Sequence, residues 1–325
     1  MDPALHTLAE HIRAATAGAM PLRIRGGGTK DFYGEPTEGE LLDTRTLTGI
    51  TSYEPSELVV TVRAGTPLAE LEAVLRAQGQ CLPFEPPHFG TPGEGGTVGG
   101  MVASGLAGPA RASVGSVRDY VLGATVLNGR GELLSFGGQV MKNVAGYDVS
   151  RVLAGSLGVL GLITDVSLKV LPVPPAEATL RFACGQAEAL DLLNGWGGRP
   201  LPLNASRWVP EAEVEAGEGV LYLRLRGAVA AVEAACAHLG GEHQGAVQAD
   251  WDACRDHRLP WFADAGAGQD LWRLSVPQTT PPLALASPPL IEWHGGQRWY
   301  VAPPGDGARL REAARAAGGH ATLFR

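Results

Sequence analysis

The hydrophobic positions of this chain change period several times, and those changes lay out its elements. Residues 4–17 place Leu5, Leu8 and Ile12 at helical spacing, which predicts an amphipathic helix whose apolar stripe packs inward. In the next apolar stretch Leu22 and Ile24 alternate with Arg23 and Arg25, a short half-buried strand that breaks into Gly26-Gly27-Gly28. Residues 40–65 read as short strands between turns, the clearest having Val60, Val62 and Ala64 alternate with Thr61 and Arg63. Thr66-Pro67 then opens a helix with Leu68, Leu71 and Leu75 on one face and Gly79 as its stop. A proline-stiffened loop with Pro83, Pro86, Pro87 and Pro92 leads to a second glycine turn, TPGEGGTVGGMVASG at 91–105. His88 in that loop reads as a structural or surface histidine rather than a catalytic one. Residues 120–136 form a hairpin pattern around Asn128-Gly129. A third glycine segment, with Gly155, Gly158 and Gly161 among apolar residues, runs into a strand at 160–170.

The pattern changes after VLPVPP at 170–175, which marks a linker, so the expected domains are 1–174 and 175–325. Beyond it come a strand at 178–183, a helix at 186–194, strands at 203–208 and 219–225, and a helix at 229–239. That order is ferredoxin-like. A mixed segment follows and ends in a helix with a strand-like tail, giving one α+β domain.

Composition narrows the chemistry. A formal charge of −8 without a run of five like charges argues against a nucleic-acid partner. Cys81, Cys184, Cys236 and Cys254 contain no C-x-x-C, so neither an iron–sulfur cluster nor a zinc site is encoded, and reduced, buried thiols are expected. No window offers the 18 apolar residues of a transmembrane segment, and the N-terminal residues lack the form of a signal peptide. With 45 glycines in 325 residues, no single glycine run is decisive. Their settings carry more weight. Gly26–Gly28 with Thr29, and Gly95-Gly96-Thr97 with Gly99-Gly100, combine permissive backbone with hydroxyl donors, the composition of a pyrophosphate cradle. Arg25 and Lys30 flank the first loop. The third segment suits backbone running beside a flat aromatic ligand.

Four motifs in order, RGGGTK, TVGGMVASG, RDYVLG and KNVAGYDVSRVLAGSLGVLGLIT, resemble the PCMH-type FAD-binding domain of the vanillyl-alcohol-oxidase family over residues 20–172. Within that family the chain is most similar to the FAD-binding subunits of bacterial glycolate oxidases. The resemblance implies two α/β subdomains clasping FAD, followed here by a short cap. A Rossmann fold is disfavoured, because no G-x-G-x-x-G follows the first strand with an acidic residue about 20 positions on. By the resemblance, Arg25, Gly26, Gly27, Gly28, Thr29, Gly93, Gly95, Gly96, Thr97, Gly99 and Gly100 hold the pyrophosphate and ribityl chain. Gly158, Val159, Gly161 and Ile163 meet the adenine or ring edge, and Asn143 and Tyr147 lie nearer the isoalloxazine. Some members attach flavin through a His or Cys in the glycine loops; these loops carry neither, so noncovalent FAD is expected.

An oxidase for 2-hydroxy acids needs a carboxylate grip and a base besides its flavin. Arg207, Arg224, Arg273 and Arg298 are candidates for the grip and His257 and His294 for the base, with none singled out. Fully catalytic relatives carry a longer cap with a His-bearing GDGN-type motif that this chain lacks. Three readings follow. The chain is an FAD subunit of a heteromeric glycolate (2-hydroxy-acid) oxidase, a non-catalytic FAD-binding assembly subunit, or an autonomous D-2-hydroxy-acid dehydrogenase. The resemblance implies a homologous flavin subunit and a separate iron–sulfur subunit as partners. Trp251, Trp261, Trp272, Trp293 and Trp299 are either interface or core residues. The expected compartment is the cytoplasm, or the membrane periphery through such a complex.

Overall fold

The computed structural model describes residues 2–90, 95–138, 147–211, 218–263 and 268–325. The chain forms two compact units: Met1–Ala107 with Gly115–Val173, and Gly108–Val114 with Pro174–Arg325. Residues 108–114 thus fold with the second unit, which a single division at 174/175 does not anticipate.

The first unit opens with α1 (Pro3–Ala17), capped by Asp2, whose carboxylate accepts from Ala4 N–H at 2.8 Å. Strands β1 (Leu22–Arg25) and β2 (Glu40–Asp43) pair in parallel. Next come β3 (Ile50–Glu54), β4 (Val59–Arg63), α2 (Leu68–Ala77), β5 (Gln80–Cys81) and α3 (Val98–Ser104). α4 (Arg111–Val114) belongs to the second unit. The chain returns through α5 (Val117–Tyr120), β6 (Val121–Leu127), β7 (Leu133–Gly137), α6 (Val149–Val152), β8 (Leu162–Lys169) and β9 (Leu171–Pro172). Among the described residues the main sheet runs β3-β4-β8-β6-β7, with neighbours antiparallel. Leu68, Leu71 and Leu75 of α2 and Val98, Met101 and Val102 of α3 bury against Val60, Val62, Val126 and Val166 of that sheet. The start of the expected linker is structured, since β9 pairs with β5.

The second unit contains β10 (Ala176–Gly185), α7 (Gln186–Gly197), β11 (Leu203–Pro210), β12 (Glu218–Gly227), α8 (Val229–Leu239) and β13 (Glu242–Gln244). These are followed by α9 (Gln248–Arg255), α10 (Pro260–Ala263), β14 (Asp270–Ser275), β15 (Leu290–Glu292), β16 (Gln297–Ala302), α11 (Gly307–Ala316) and β17 (His320–Leu323). The ferredoxin-like order is present over 176–239. The strands beyond it do not form a separate sheet. They continue the first one as β13-β10-β12-β11-β15-β16-β14-β17, eight strands long. One face of this sheet is apolar, with Leu180, Leu221, Leu223, Trp208 and Ile291 packed in one core with residues of α7 and α8. Between β15 and β16 the chain makes an unusual turn: Trp293, His294 and Gly295 have φ of 53°, 54° and 96°. Side chains held in the left-handed region cost free energy, so such a turn persists only where its surroundings fix it. Here Trp293 Nε1–H donates to Gly108 O at 3.0 Å, His294 Nε2 lies 3.1 Å from Ser113 Oγ, and the Arg111 guanidinium sits 4.5 Å from the centre of the Trp293 ring. The turn is what holds the 108–114 strap.

Candidate functional site

β1 delivers the first glycine loop, and its last carbonyl is fixed by Thr44 N–H, which donates to Arg25 O at 3.0 Å. A Cβ on Gly26 would overlap the Thr97 hydroxyl, and one on Gly27 would overlap the Gly95 carbonyl. Glycine is therefore required where the first loop meets the Thr97 side chain and the Gly95 backbone. Gly96 is buried, with Thr29 Oγ1 and Lys30 Nζ at 3.2 and 3.4 Å from the position of an added Cβ. Beside these loops lies a cavity of about 290 Å³, lined by Arg23, Ile24, Gly26–Gly28, Thr29, Lys30, Thr97, Gly100 and Leu157 among others. That volume is at the small end of ligand sites, about 300–1,000 Å³, and suits one portion of a dinucleotide.

The polar lining is mixed, with Arg23, Arg25, Lys30 and the Thr29 and Thr97 hydroxyls beside the carboxylates Asp31 and Glu35. Thr97 caps α3 by accepting from Gly100 N–H at 3.2 Å, which leaves its own hydroxyl proton to donate. Arg23 Nε is buried without a hydrogen-bond partner among the described residues, and Arg23 lines the cavity. No His or Cys is among the described residues that line it. The chemistry of these glycines, hydroxyls and Arg23 fits the pyrophosphate and sugar of a dinucleotide, with Thr29, Thr97 and Arg23 among the side chains that line the cavity.

The α3 terminus behaves differently from a helix-dipole anion site. Val98 N–H donates to Thr66 O at 3.0 Å and Gly99 N–H to Ala64 O at 2.7 Å, so its first amides are engaged within the protein. Gly99 does not line the cavity; a Cβ there would stand 2.7 Å from that of Ala64. It is a packing glycine between helix and strand. The third segment is tied to α3 by Gly155 N–H donating to Val102 O at 3.0 Å and Leu157 N–H to Ala103 O at 2.8 Å. This brings Leu157 to the cavity, and Gly158 faces the Ile24 side chain. Val159 is 83% exposed, Gly161 is pressed against Leu127 O, and Ile163 is 5% exposed inside β8 opposite Val126. Ile163 is therefore a core residue and not a ligand contact. Tyr147 is 96% exposed. Gly93 and Asn143 lie outside the described residues. Arg25 is engaged with Asp31, Nε to Oδ2 at 2.6 Å. His88 pairs with Glu72 at 3.0 Å, a structural role.

In the second unit most of the candidate catalytic groups are committed to its interior. Arg298 is fully buried and donates to Gly295 O at 3.3 Å, Pro281 O at 2.7 Å and Thr280 O. Arg224 Nε–H donates to Asn204 Oδ1 at 2.7 Å, and its guanidinium stacks on Trp251. Arg207 lies over Tyr222, 4.4 Å from the ring centre, and donates to Asp250 O at 3.3 Å. Arg273 is half-buried over Phe324. His257 stacks on Phe262 with centroids 4.3 Å apart, and burial, helped by the Arg325 charge, lowers its pKa to about 3. His294 is lowered to about 4 by burial. Neither titrates where a base for an alcohol proton is useful. Trp251, Trp272 and Trp299 are core residues, while Trp261 and Trp293 are half-buried. Cys184 and Cys254 are buried free thiols; Cys81 and Cys236 are only half-buried.

A polar stripe across the sheet escaped the sequence reading. In register, Arg181, Tyr222, Arg207, Glu292 and Gln297 occupy neighbouring strands β10, β12, β11, β15 and β16. Glu292 accepts from Trp299 Nε1 at 2.6 Å, Gln297 Nε2 at 3.1 Å and Cys254 Sγ at 3.3 Å, and burial raises its pKa. Period-two polar residues within apolar strands were the available signal.

The FAD binding domain family matches residues 5–137. The glycolate oxidase subunit GlcE of Escherichia coli (strain K12) is 44% identical over 317 residues, covering 98% of this chain and 86% of that protein. The glycolate oxidase subunit GlcD of Bacillus subtilis (strain 168) is 32% identical over 163 residues, 50% of this chain and 34% of GlcD. A D-lactate dehydrogenase of Archaeoglobus fulgidus is 34% identical, and this chain spans 46% of its length. Among solved structures, an alkyldihydroxyacetonephosphate synthase superposes with TM-score 0.67 at 16% identity, covering 96% of this chain and 72% of that one, which shows the shared fold.

Proposed function

Starting from a chain that belongs to the FAD-binding family of glycolate oxidase subunit GlcE, we propose that it is the FAD-carrying subunit of a heteromeric 2-hydroxy-acid oxidase acting on glycolate. FAD, when bound, supplies two-electron acceptance from the carbon bearing the hydroxyl. The residues of this chain hold it. Gly26–Gly28 and Gly100 admit the pyrophosphate to backbone distance, Thr29 and Thr97 donate hydroxyls, and Ile24 and Leu157 form the apolar wall. The partners are a homologous flavin subunit and an iron–sulfur polypeptide, the latter necessarily separate because no cluster ligands are encoded here. The observation that carries this reading is the interlocked pair of glycine loops beside a cavity lined by hydroxyls and basic side chains.

One observation favours a second reading, in which this chain binds FAD while its homologous partner oxidises the substrate. Arg207, Arg224 and Arg298, the buried candidates for gripping a carboxylate, are bonded within the second unit, and both candidate bases are held neutral by burial. Anaerobic addition of glycolate and of D-lactate to the purified chain separates the readings. A yellow protein that keeps its colour until the partner subunit is added supports a partner-dependent flavin subunit. Bleaching by substrate in the single chain makes it an autonomous dehydrogenase. A colourless protein that takes up no added FAD breaks the proposal.

A further inference from the structure

A second cavity, of about 470 Å³, is lined by residues of the second unit. Its wall is mostly apolar, with Trp261, Leu285, Pro288, Tyr300, Pro303 and Leu310 among the described residues that form it. Trp261 comes from α10, Tyr300 from β16 and Leu310 from α11, while Leu285 and Pro288 come from the irregular segment between β14 and β15. A volume in the range of small-molecule sites, walled by aromatic rings and prolines, suits a flat apolar guest.

Tyr300 adds a polar group to that wall. It is 1% exposed, and its hydroxyl is buried with no hydrogen-bond partner among the described residues. A buried hydroxyl without a partner costs free energy and adds nothing to the stability of the fold, so a ligand that completes it accounts for its presence. Burial pushes its pKa up to about 12, so it keeps its proton at neutral pH and can donate. The charged side chains among the described lining residues, Asp306 and Arg309, are bonded to each other, Nη2 to Oδ2 at 2.8 Å, and a charged guest would have to break that pair. Gln269 and Ser287, the other polar residues of the wall, are exposed and have water as a partner.

We propose that this cavity binds an uncharged single-ring carbonyl compound, with the Tyr300 hydroxyl donating to the carbonyl oxygen. Binding there is independent of FAD in the first unit.

Acetophenone, toluene and benzoate are the probes, and saturation-transfer NMR on the full-length protein reads their binding. Acetophenone binds with a dissociation constant on the order of 1 mM, as expected of a ligand of this size. Tyr300→Phe weakens acetophenone roughly 3- to 10-fold, the range for one neutral hydrogen bond, and leaves toluene unchanged. The same variant does not lower the midpoint of unfolding, because the hydroxyl it removes bonds nothing in the fold. Ala286→Trp and, separately, Ser287→Trp, both at exposed positions of the wall, fill the cavity and abolish binding of acetophenone and toluene with circular dichroism retained. Benzoate binding more tightly than acetophenone overturns the uncharged class. Equal losses of acetophenone and toluene in Tyr300→Phe, or a lowered midpoint, overturn the role of the hydroxyl. Acetophenone binding that survives both tryptophan variants, or no binding by the wild type up to the solubility limit, overturns the site itself.

Discussion

The two units bury polar groups in opposite ways. In the first, backbone is brought against backbone by glycines, and the hydroxyls and basic side chains around Gly26–Gly28 and Gly95–Gly96 border a cavity. In the second, long side chains, Arg207, Arg224, Arg298 and Glu292, reach inward and are met by carbonyls, amides and rings of the same unit. The difference is one of setting: in the second unit Arg224, Arg298 and Glu292 are met inside the fold, although Arg207 Nε is left without a partner among the described residues. A polar network whose members satisfy one another rigidifies a fold, whereas donors facing a cavity await a guest. The proposed cofactor-binding site therefore lies at the glycine loops, where the polar groups border a cavity, although the second unit contains more of the residue types that usually attract attention.

The sharpest test of this contrast is Arg298→Met. It removes donors to Gly295, Pro281 and Thr280 and leaves buried carbonyls behind. A loss of roughly 3–5 kcal/mol in unfolding free energy is expected in denaturant titration, comparable to breaking a buried charged network, with FAD stoichiometry unchanged in the folded fraction. Loss of flavin without loss of stability would place Arg298 in binding instead. Gly27→Val probes the other side. Its side chain collides with the Gly95 carbonyl, so FAD affinity falls by roughly a hundredfold, about 2.7 kcal/mol, while circular dichroism of the chain is retained. A variant that keeps its flavin would remove the cradle from the site.

The smallest effect is a pH dependence confined to the second unit. His257 has its pKa lowered from 6.5 to about 3 in the folded state, so the unfolded chain binds more protons between those values. Stability from a neutral His257 is complete above pH 6.5 and declines as pH falls toward 3, by about 2 kcal/mol between pH 7 and 5. The raised carboxyl of Glu292 works in the opposite sense, gaining as pH falls, so the wild-type slope is a difference of the two. His257→Phe, which preserves stacking on Phe262, should lose the histidine part of that slope in unfolding measured at pH 7 and pH 5. An unchanged slope would show that another group carries it.

The legible part of the site was the part written in local backbone. Gly26 and Gly27 announce their geometry because an added Cβ would overlap Thr97 and the Gly95 carbonyl, an approach few residues besides glycine tolerate. Gly99 misled for the same reason. Its neighbour across the contact, Ala64, is 35 positions away, and nothing local distinguishes a glycine pressed on a strand from one facing a ligand. The engaged amides of Val98 and Gly99 were hidden likewise, since their acceptors Thr66 and Ala64 come from the turn after β4. In the second half the β-α-β-β-α order followed from periodicity, but the joining of β11 to β15 did not, because strand pairing across some 80 residues leaves no local signal. The candidate arginines looked available only because sequence reports charge and not the carbonyls that surround it.

The 108–114 strap has a temporal consequence. Its holders Trp293 and His294 lie 185 and 181 residues later than Gly108 and Ser113. At synthesis rates of about 5–20 residues per second, the strap leaves the ribosome roughly ten to forty seconds before Trp293 and His294 exist for it to grip. For that interval the strap lacks its hydrogen-bond partners at the turn, and the last residues made decide when it is tied down.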